Sequence, residues 1–273
     1  MTRTLSNAEL QLGAWCGIPS AYAAELVLRA GYDWVCIDTQ HGLIDFAEAV
    51  NILQTARIYE TPALVRVPAV EDVAAIMRYL DSGATGVLVP LINTREQAER
   101  AVAACRYPPD GIRSWGPVRA LPAGPGYTAS AANQKVVCGV QIETLEAISN
   151  IDEILSVPGV DFALVGPSDL AVALGLTPTP GAIAGPHREA IIHILERCNR
   201  ANVLAAIYAG SAAAAIEFYD IGYRSIAVAS DARVLAQGAL DAIGFVKAHA
   251  AQGQGTGRVT ERGDSALASQ EPS

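Results

Sequence analysis

Lysine is nearly absent from this chain. Lys135 and Lys247 are the only two in 273 residues. One falls at the start of a strand-like run and the other in a terminal helical segment, which argues against Schiff-base chemistry on a carbonyl substrate. Basic charge is scarce in general: 19 Lys and Arg stand against 28 Asp and Glu, a formal net charge of −9. With no Lys/Arg-rich run, nucleic acid and anionic membrane surfaces are poor partners. No apolar stretch approaches the roughly 18 residues of a membrane span. The N-terminal MTRTLSNAELQLG lacks the apolar core of a secretion signal. The five cysteines (16, 36, 105, 138 and 198) include no C-x-x-C pair. An odd, dispersed set reads as reduced thiols, with Cys36 and Cys138 acting as small hydrophobes inside apolar runs, and predicts a cytoplasmic protein. No G-x-G-x-x-G follows the first strand-like run, which counts against a dinucleotide-binding open sheet.

What the chain has is apolar residues, 51% of the total with a mean hydropathy of +0.26, arranged with a regular beat. Short β-rich runs at 12–16, 33–38, 63–67, 86–91, 136–142, 161–166, 203–208 and 225–230 alternate with helical patterns. The helices are predicted at 20–30, 45–58, 71–82, 94–105, 144–156, 186–201, 211–221 and 231–249. The strands are continuously apolar rather than alternating, as parallel strands buried on both faces should be. Asp45 with Glu48 and Thr94 with Gln97 have capping-box spacing. Gly31, Gly83, Gly159 and Gly222 each stand between a helix and the next strand, the C′ position. Eight β–α units predict a (β/α)8 barrel over residues 1–251, with a doubly wound sheet as the alternative. Residues 106–134 read as a long Pro/Gly-rich loop serving as a lid or interface. Residues 252–273 read as a disordered polar tail.

In such a barrel the chemistry belongs at the C-terminal ends of the strands. Asp38, His41, Arg66, Gln141, Glu143, Ser168 and Asp169 all fall there. Glu143 and Asp169 leave neighbouring strands about 4.8 Å apart. Two carboxylates so placed raise one another's pKa or share a cation. Oxygen ligands without Cys or His suit Mg²⁺ or Mn²⁺; a helix cap and a turn residue are the plainer alternative. Arg66 inside a buried strand is either a clamp for an oxyanion or carboxylate, or half of a structural ion pair. His41 is the one histidine of four at a strand mouth, where it can move a proton. Asp81 is a candidate to orient it, with helix capping as the simpler role.

The segments AGYDWVCIDTQHG, PALVRVP, YLDSGATGVLVP, RYPPDGIR, VQIET and GVDFALVGPSDLA, in this order, resemble the HpcH/HpaI family of class II pyruvate aldolases, typified by 4-hydroxy-2-oxoheptanedioate aldolase. The resemblance runs from Leu12 to about residue 250. It implies a TIM barrel of the phosphoenolpyruvate/pyruvate-binding type, found as a homo-oligomer (trimer or hexamer), and a divalent metal (Mg²⁺, Mn²⁺ or Co²⁺) held by Glu143 and Asp169. It further implies that Arg66 stabilises an enolate and that His41 is a base assisted by Asp81. Gln141, Ser168 and Asp169 would hold the pyruvyl end of the substrate. The chain departs from the family's Asp-x-Glu-His at Gln40, which removes a negative charge beside His41. Trp115 is bulkier than the family's small loop residues and is expected near a substrate entrance.

The expected reaction is reversible cleavage of a 4-hydroxy-2-oxo acid to pyruvate, or a close 2-oxo acid, and an aldehyde. Two alternatives stand beside it. One is a lyase of the citrate- or malyl-CoA type, for which Arg113 and Arg119 are the loop cations available to CoA phosphates. The other is a ligand-binding barrel without catalysis.

Overall fold

The computed structural model describes residues 9–120, 126–178 and 183–256. Eight strands close a barrel in sequence order, every neighbouring pair parallel. They are β1 (Gln11–Cys16), β2 (Trp34–Asp38), β3 (Ala63–Arg66), β4 (Gly86–Val89), β5 (Val137–Ile142), β6 (Phe162–Val165), β7 (Leu204–Tyr208) and β8 (Ser225–Ser230). The intervening helices are α1 (Ala21–Arg29), α2 (Phe46–Ile58), α3 (Val73–Asp81), α4 (Arg95–Cys105), α5 (Ala129–Lys135), α6 (Leu145–Ser149), α7 (Ile151–Leu155), α8 (Pro167–Ala173), α9 (Gly185–Ala201) and α10 (Ala212–Ile221). A last helix, α11 (Asp231–Thr256), follows β8. The chain divides into two compact units, residues 1–233 and 234–273; all eight strands lie in the first.

The two-residue period of the strands sorts side chains between two cores. Trp34, Cys36, Leu64, Leu88, Phe162, Leu164, Leu204 and Ala206 fill the barrel interior. Their neighbours Val35, Ile37, Val65, Val87, Val89, Ala163, Val165, Ala205 and Ile207 pack outward beneath the helices. Trp34 and Phe162 take up most of the interior near the strand starts, and glycines make room for them. A Cβ on Gly13 would lie 2.3 Å from the Trp34 ring, and one on Gly139 would lie 2.0 Å from the Phe162 ring. The same parity carries Trp15, Asp38, Arg66, Gln141 and Tyr208 inward at the far ends of their strands.

Both capping boxes form as the spacing predicts, Asp45 with Glu48 and Thr94 with Gln97. The glycines expected at helix ends adopt positive φ, for example Gly83 at 97° and Gly222 at 123°. Three differences from the predicted elements have local causes. The helix expected over 144–156 breaks at Asn150, whose side-chain amide donates to the Asn93 carbonyl 2.9 Å away. The stretch 106–134 contains α5, started by Thr128 accepting from the Ala131 N–H. A short α8 follows β6 directly, with Pro167 in its first turn. The last helix runs on to Thr256 rather than ending at 249; the remainder of the expected tail, 257–273, lies outside the described residues. Among the described residues no helix is long and apolar enough to cross a membrane.

Candidate active site

A cavity of about 480 Å³ opens at the C-terminal ends of the strands. It is lined from β2 and its loop by Asp38, His41 and Leu43, from β3 by Arg66, from β5 by Gln141, and from α8 by Ser168 and Asp169. Trp15, Tyr208 and Asp231 line its other side. No lysine does.

Strand register decides the first contact. Asp38 and Arg66 are direct partners across β2 and β3, and both point into the barrel. Arg66 Nε donates to Asp38 Oδ1 at 3.0 Å and Nη2 donates to Oδ2 at 2.6 Å. The carboxylate also accepts from Trp15 Nε1 at 3.2 Å and from the backbone N–H groups of Gln40 and His41. Burial alone would raise the Asp38 pKa, but the Arg66 hydrogen bonds and charge outweigh it, so Asp38 sits below its ordinary range. The guanidinium also lies 5.1 Å from the Trp15 ring centroid. Arg66 is thus both an ion-pair partner and a cavity wall. Its Nη1 has no hydrogen bond to a described residue, which leaves one edge of the fork to face a ligand.

The second contact is carboxylate to carboxylate. Glu143, 3% exposed, accepts from the Leu91 N–H at 3.0 Å and from Gln141 Nε2 at 2.6 Å. Its pKa is pushed up to about 7, first by burial and then by the negative charge of Asp169 in the first turn of α8. A Cβ on Gly166 would stand 2.6 Å from Glu143 Oε2 and 2.8 Å from Gln141 Nε2. Only a bare Cα lets α8 begin so close to these two side chains. Gln141 Oε1 is buried without a partner, an acceptor available to a bound molecule. Gly166, at the start of α8, gives no side-chain cap, so the N–H groups of the first turn are not taken by a capping side chain.

The sequence reading placed His41, Arg66, Gln141, Glu143, Ser168 and Asp169 together, and the fold gathers them. It separates Asp81 from them. Asp81 ends α3, on the side where β4 begins, so it lies at the opposite face of the barrel from the strand C-termini. There its carboxylate accepts from Arg113 Nη2 at 2.7 Å. The His41 side chain is exposed and has no orienting partner among the described residues of its own chain. Trp115 needs the same correction. The segment joining α4 to β5 runs at the N-terminal face, where Trp115 packs on Tyr107 and Tyr127 at ring distances of 5.1 and 5.8 Å. Gln40 Oε1 is buried without a partner beside Asp38 and His41.

The sequence reading missed much of the wall, Trp15, Tyr208 and Asp231 among it. Trp15 and Tyr208 end apolar runs, and a search for polar groups at strand mouths passes over them; strand parity was the available signal. Asp231 looked like a helix start. Its carboxylate accepts from the Gly17 and Ile18 N–H groups at 2.9 and 3.0 Å, tying the end of β8 to the loop after β1.

A family model for HpcH/HpaI aldolase/citrate lyase matches residues 11–238. The chain belongs to this family. A pyruvate aldolase from Rhizobium etli is 38% identical over 242 residues, covering 86% of this chain and 92% of the relative. A hydroxypyruvate/pyruvate aldolase from Rhizorhabdus wittichii is 38% identical over 238 residues, covering 87% and 94%. The crystal structure of an HpcH/HpaI aldolase/citrate lyase family protein from Burkholderia cenocepacia superposes with a TM-score of 0.80 at 34% identity, covering 88% of this chain and 95% of that one. Membership in the HpcH/HpaI family makes carbon–carbon lyase or aldolase chemistry on a small molecule the general reaction type.

Proposed function

We propose that this HpcH/HpaI protein is a metal-dependent aldolase that reversibly cleaves a 4-hydroxy-2-oxo acid to pyruvate, or a close 2-oxo acid, and an aldehyde. The observation that carries the proposal is Glu143, buried beside the cavity-lining Gln141 and close enough to Asp169 and Arg66 on the cavity wall for both charges to act on its carboxylate. Burial, and after it the negative charge of Asp169, lifts Glu143 to about 7, which marks a place short of positive charge. Among the described residues no group of three or more His, Cys, Asp or Glu gathers around it. Glu143 and Asp169, two oxygen donors with no Cys or His beside them, would hold a hard cation (Mg²⁺, Mn²⁺ or Co²⁺). Such an ion, when bound, supplies Lewis-acid polarisation of the 2-oxo group.

The geometry supports the following part for the protein's own residues. The first-turn N–H groups at Ser168 and Asp169 donate to the pyruvyl carboxylate, with Gln141 beside them at the pyruvyl end of the cavity. Arg66, fixed by its two hydrogen bonds to Asp38, offers Nη1 to the C2 oxygen as negative charge grows there. His41 takes the proton of the C4 hydroxyl. The C3–C4 bond then breaks, its electrons passing to the enolate and the aldehyde leaving, and C3 later regains a proton. Asp81, bound to Arg113, has no place in this sequence within one chain.

The relatives' names, pyruvate aldolase and hydroxypyruvate/pyruvate aldolase, support a 2-oxo acid donor. The cation path that a CoA thioester would need is weak. Arg113 is 3% exposed, stacked on Tyr107 and paired with Asp81, at the barrel face away from the cavity. Five free, buried cysteines support a reducing, cytoplasmic setting. Exposed Val234, Leu235, Leu240, Ile243, Phe245 and Val246 on α11 support a homo-oligomer. Pyruvate release from a panel of 4-hydroxy-2-oxo acids, read with a coupled lactate dehydrogenase, tests the proposal. We expect turnover of at least one member, and a panel without pyruvate release would refute the proposal.

A further inference from the structure

Tyr208 lines the cavity but has no part in the reaction as derived. It is the last residue of β7, with the inward parity of Leu204 and Ala206. Its ring is held from two sides. Trp15 meets it edge-on at 5.3 Å with an interplanar angle of 68°. Gly210 backs it so closely that a Cβ there would lie 3.2 Å from Tyr208 Cε1. The hydroxyl is not held at all: it makes no hydrogen bond to a described residue. The phenols of Tyr59, Tyr107 and Tyr223 all have partners, Glu25, Tyr127 and the Ile191 carbonyl. A rigid ring that presents a free donor and acceptor to a cavity is poised to read an oxygen on a ligand.

Position says which part of the ligand. The groups assigned to the pyruvyl end come from β3, β5 and α8. The sector beyond them is walled by Trp15, Ile18, Pro19, Tyr208 and Ser230, from β7, β8 and the β1 end. The other polar groups there are engaged with the backbone: the Asp231 carboxylate accepts from the Gly17, Ile18 and Ala232 N–H groups, and the Ser230 hydroxyl accepts from the Arg233 N–H while keeping its own O–H to donate. We propose that Tyr208 is a specificity-determining residue whose phenol hydrogen-bonds a hydroxyl group on the aldehyde half of the substrate, so that hydroxylated aldehydes are favoured over their deoxy counterparts. The proposal rests on the aldolase reading and deepens it.

The test compares wild type with Tyr208→Phe, both supplied with Mn²⁺ and pyruvate. The acceptors are glycolaldehyde and propanal, which match in size and differ by a hydroxyl in place of a methyl. The quantity is the ratio of kcat/KM for the two aldehydes; comparing the two enzymes cancels the aldehydes' intrinsic reactivity. Losing one hydrogen bond should lower the ratio on the order of 10-fold in the variant, through glycolaldehyde, with propanal nearly unchanged. A purely structural ring would lower both aldehydes together or neither, leaving the ratio flat, and that result overturns the proposal while the aldolase reading stands. A wild type that condenses neither these nor any other aldehyde with pyruvate overturns the aldolase reading and the role of Tyr208 with it.

Discussion

Arg66 and Asp38 show how one residue pair can be structural and functional together. The bidentate pair satisfies two buried charges, and the same rigidity points the free edge of the guanidinium into the cavity. Arg66→Lys keeps the charge but not the fork, so it should retain the fold by circular dichroism and lose on the order of 10²-fold in kcat. An unchanged rate would return Arg66 to a structural role alone. Asp38 makes a separate prediction about acid stability. Its folded pKa lies below the ordinary 3.8. The stabilisation is therefore fully present above about 3.8 and is lost as pH falls through the lower, folded value. Thermal melts between pH 6 and 3 should show a decline that Asp38→Asn flattens. The variant itself should melt lower at pH 6 by the equivalent of about 3 kcal/mol, because it leaves Arg66 buried without its charge partner. Arg66 in a strand could be recognised from sequence alone as a paired cation. That Asp38 was the partner followed only from the β2–β3 register.

At the scale of elements, strand parity explains both the core and the site. The beat of apolar strand and amphipathic helix is legible because parallel strands buried on both faces cannot alternate in polarity. The short helices α5 and α8 escaped because they carry too few residues to show a period. Asp81 and Trp115 were misplaced for a different reason. Asp81 ends α3 and Trp115 lies in the segment from α4 to β5, and both places are at the face where the next strand begins, away from the site. Interior glycines were read only as members of apolar strand runs, yet they set the barrel's packing. Gly139→Ala would drive a methyl into the Phe162 ring, 2.0 Å away, in a closed interior. The expected cost is about 1–3 kcal/mol, measured by urea denaturation. Stability equal to wild type would mean that the interior yields more readily than this packing implies.

For the whole molecule, the charge balance and the site run opposite ways. The net charge is −9, yet Arg66 projects cationic charge into a cavity bordered by Asp169, with Glu143 buried next to Gln141. In the proposed function, a cation on that carboxylate pair, next to Arg66, would let an acidic protein accept an anionic 2-oxo acid. The strand-mouth carboxylates were legible in sequence because a carboxylate at the end of a buried apolar strand is costly unless something pairs with it. The aromatic wall of Trp15 and Tyr208 was not, because an aromatic residue at a strand end reads as core until the barrel is closed around it. The central claim, that turnover depends on a divalent cation at this carboxylate pair, is tested most directly by pyruvate formation from a 4-hydroxy-2-oxo acid before EDTA, after EDTA, and after returning Mn²⁺. The account predicts loss of turnover with EDTA and recovery with Mn²⁺. Turnover that survives complete chelation, with a borohydride-trapped adduct on Lys135 or Lys247, would contradict it.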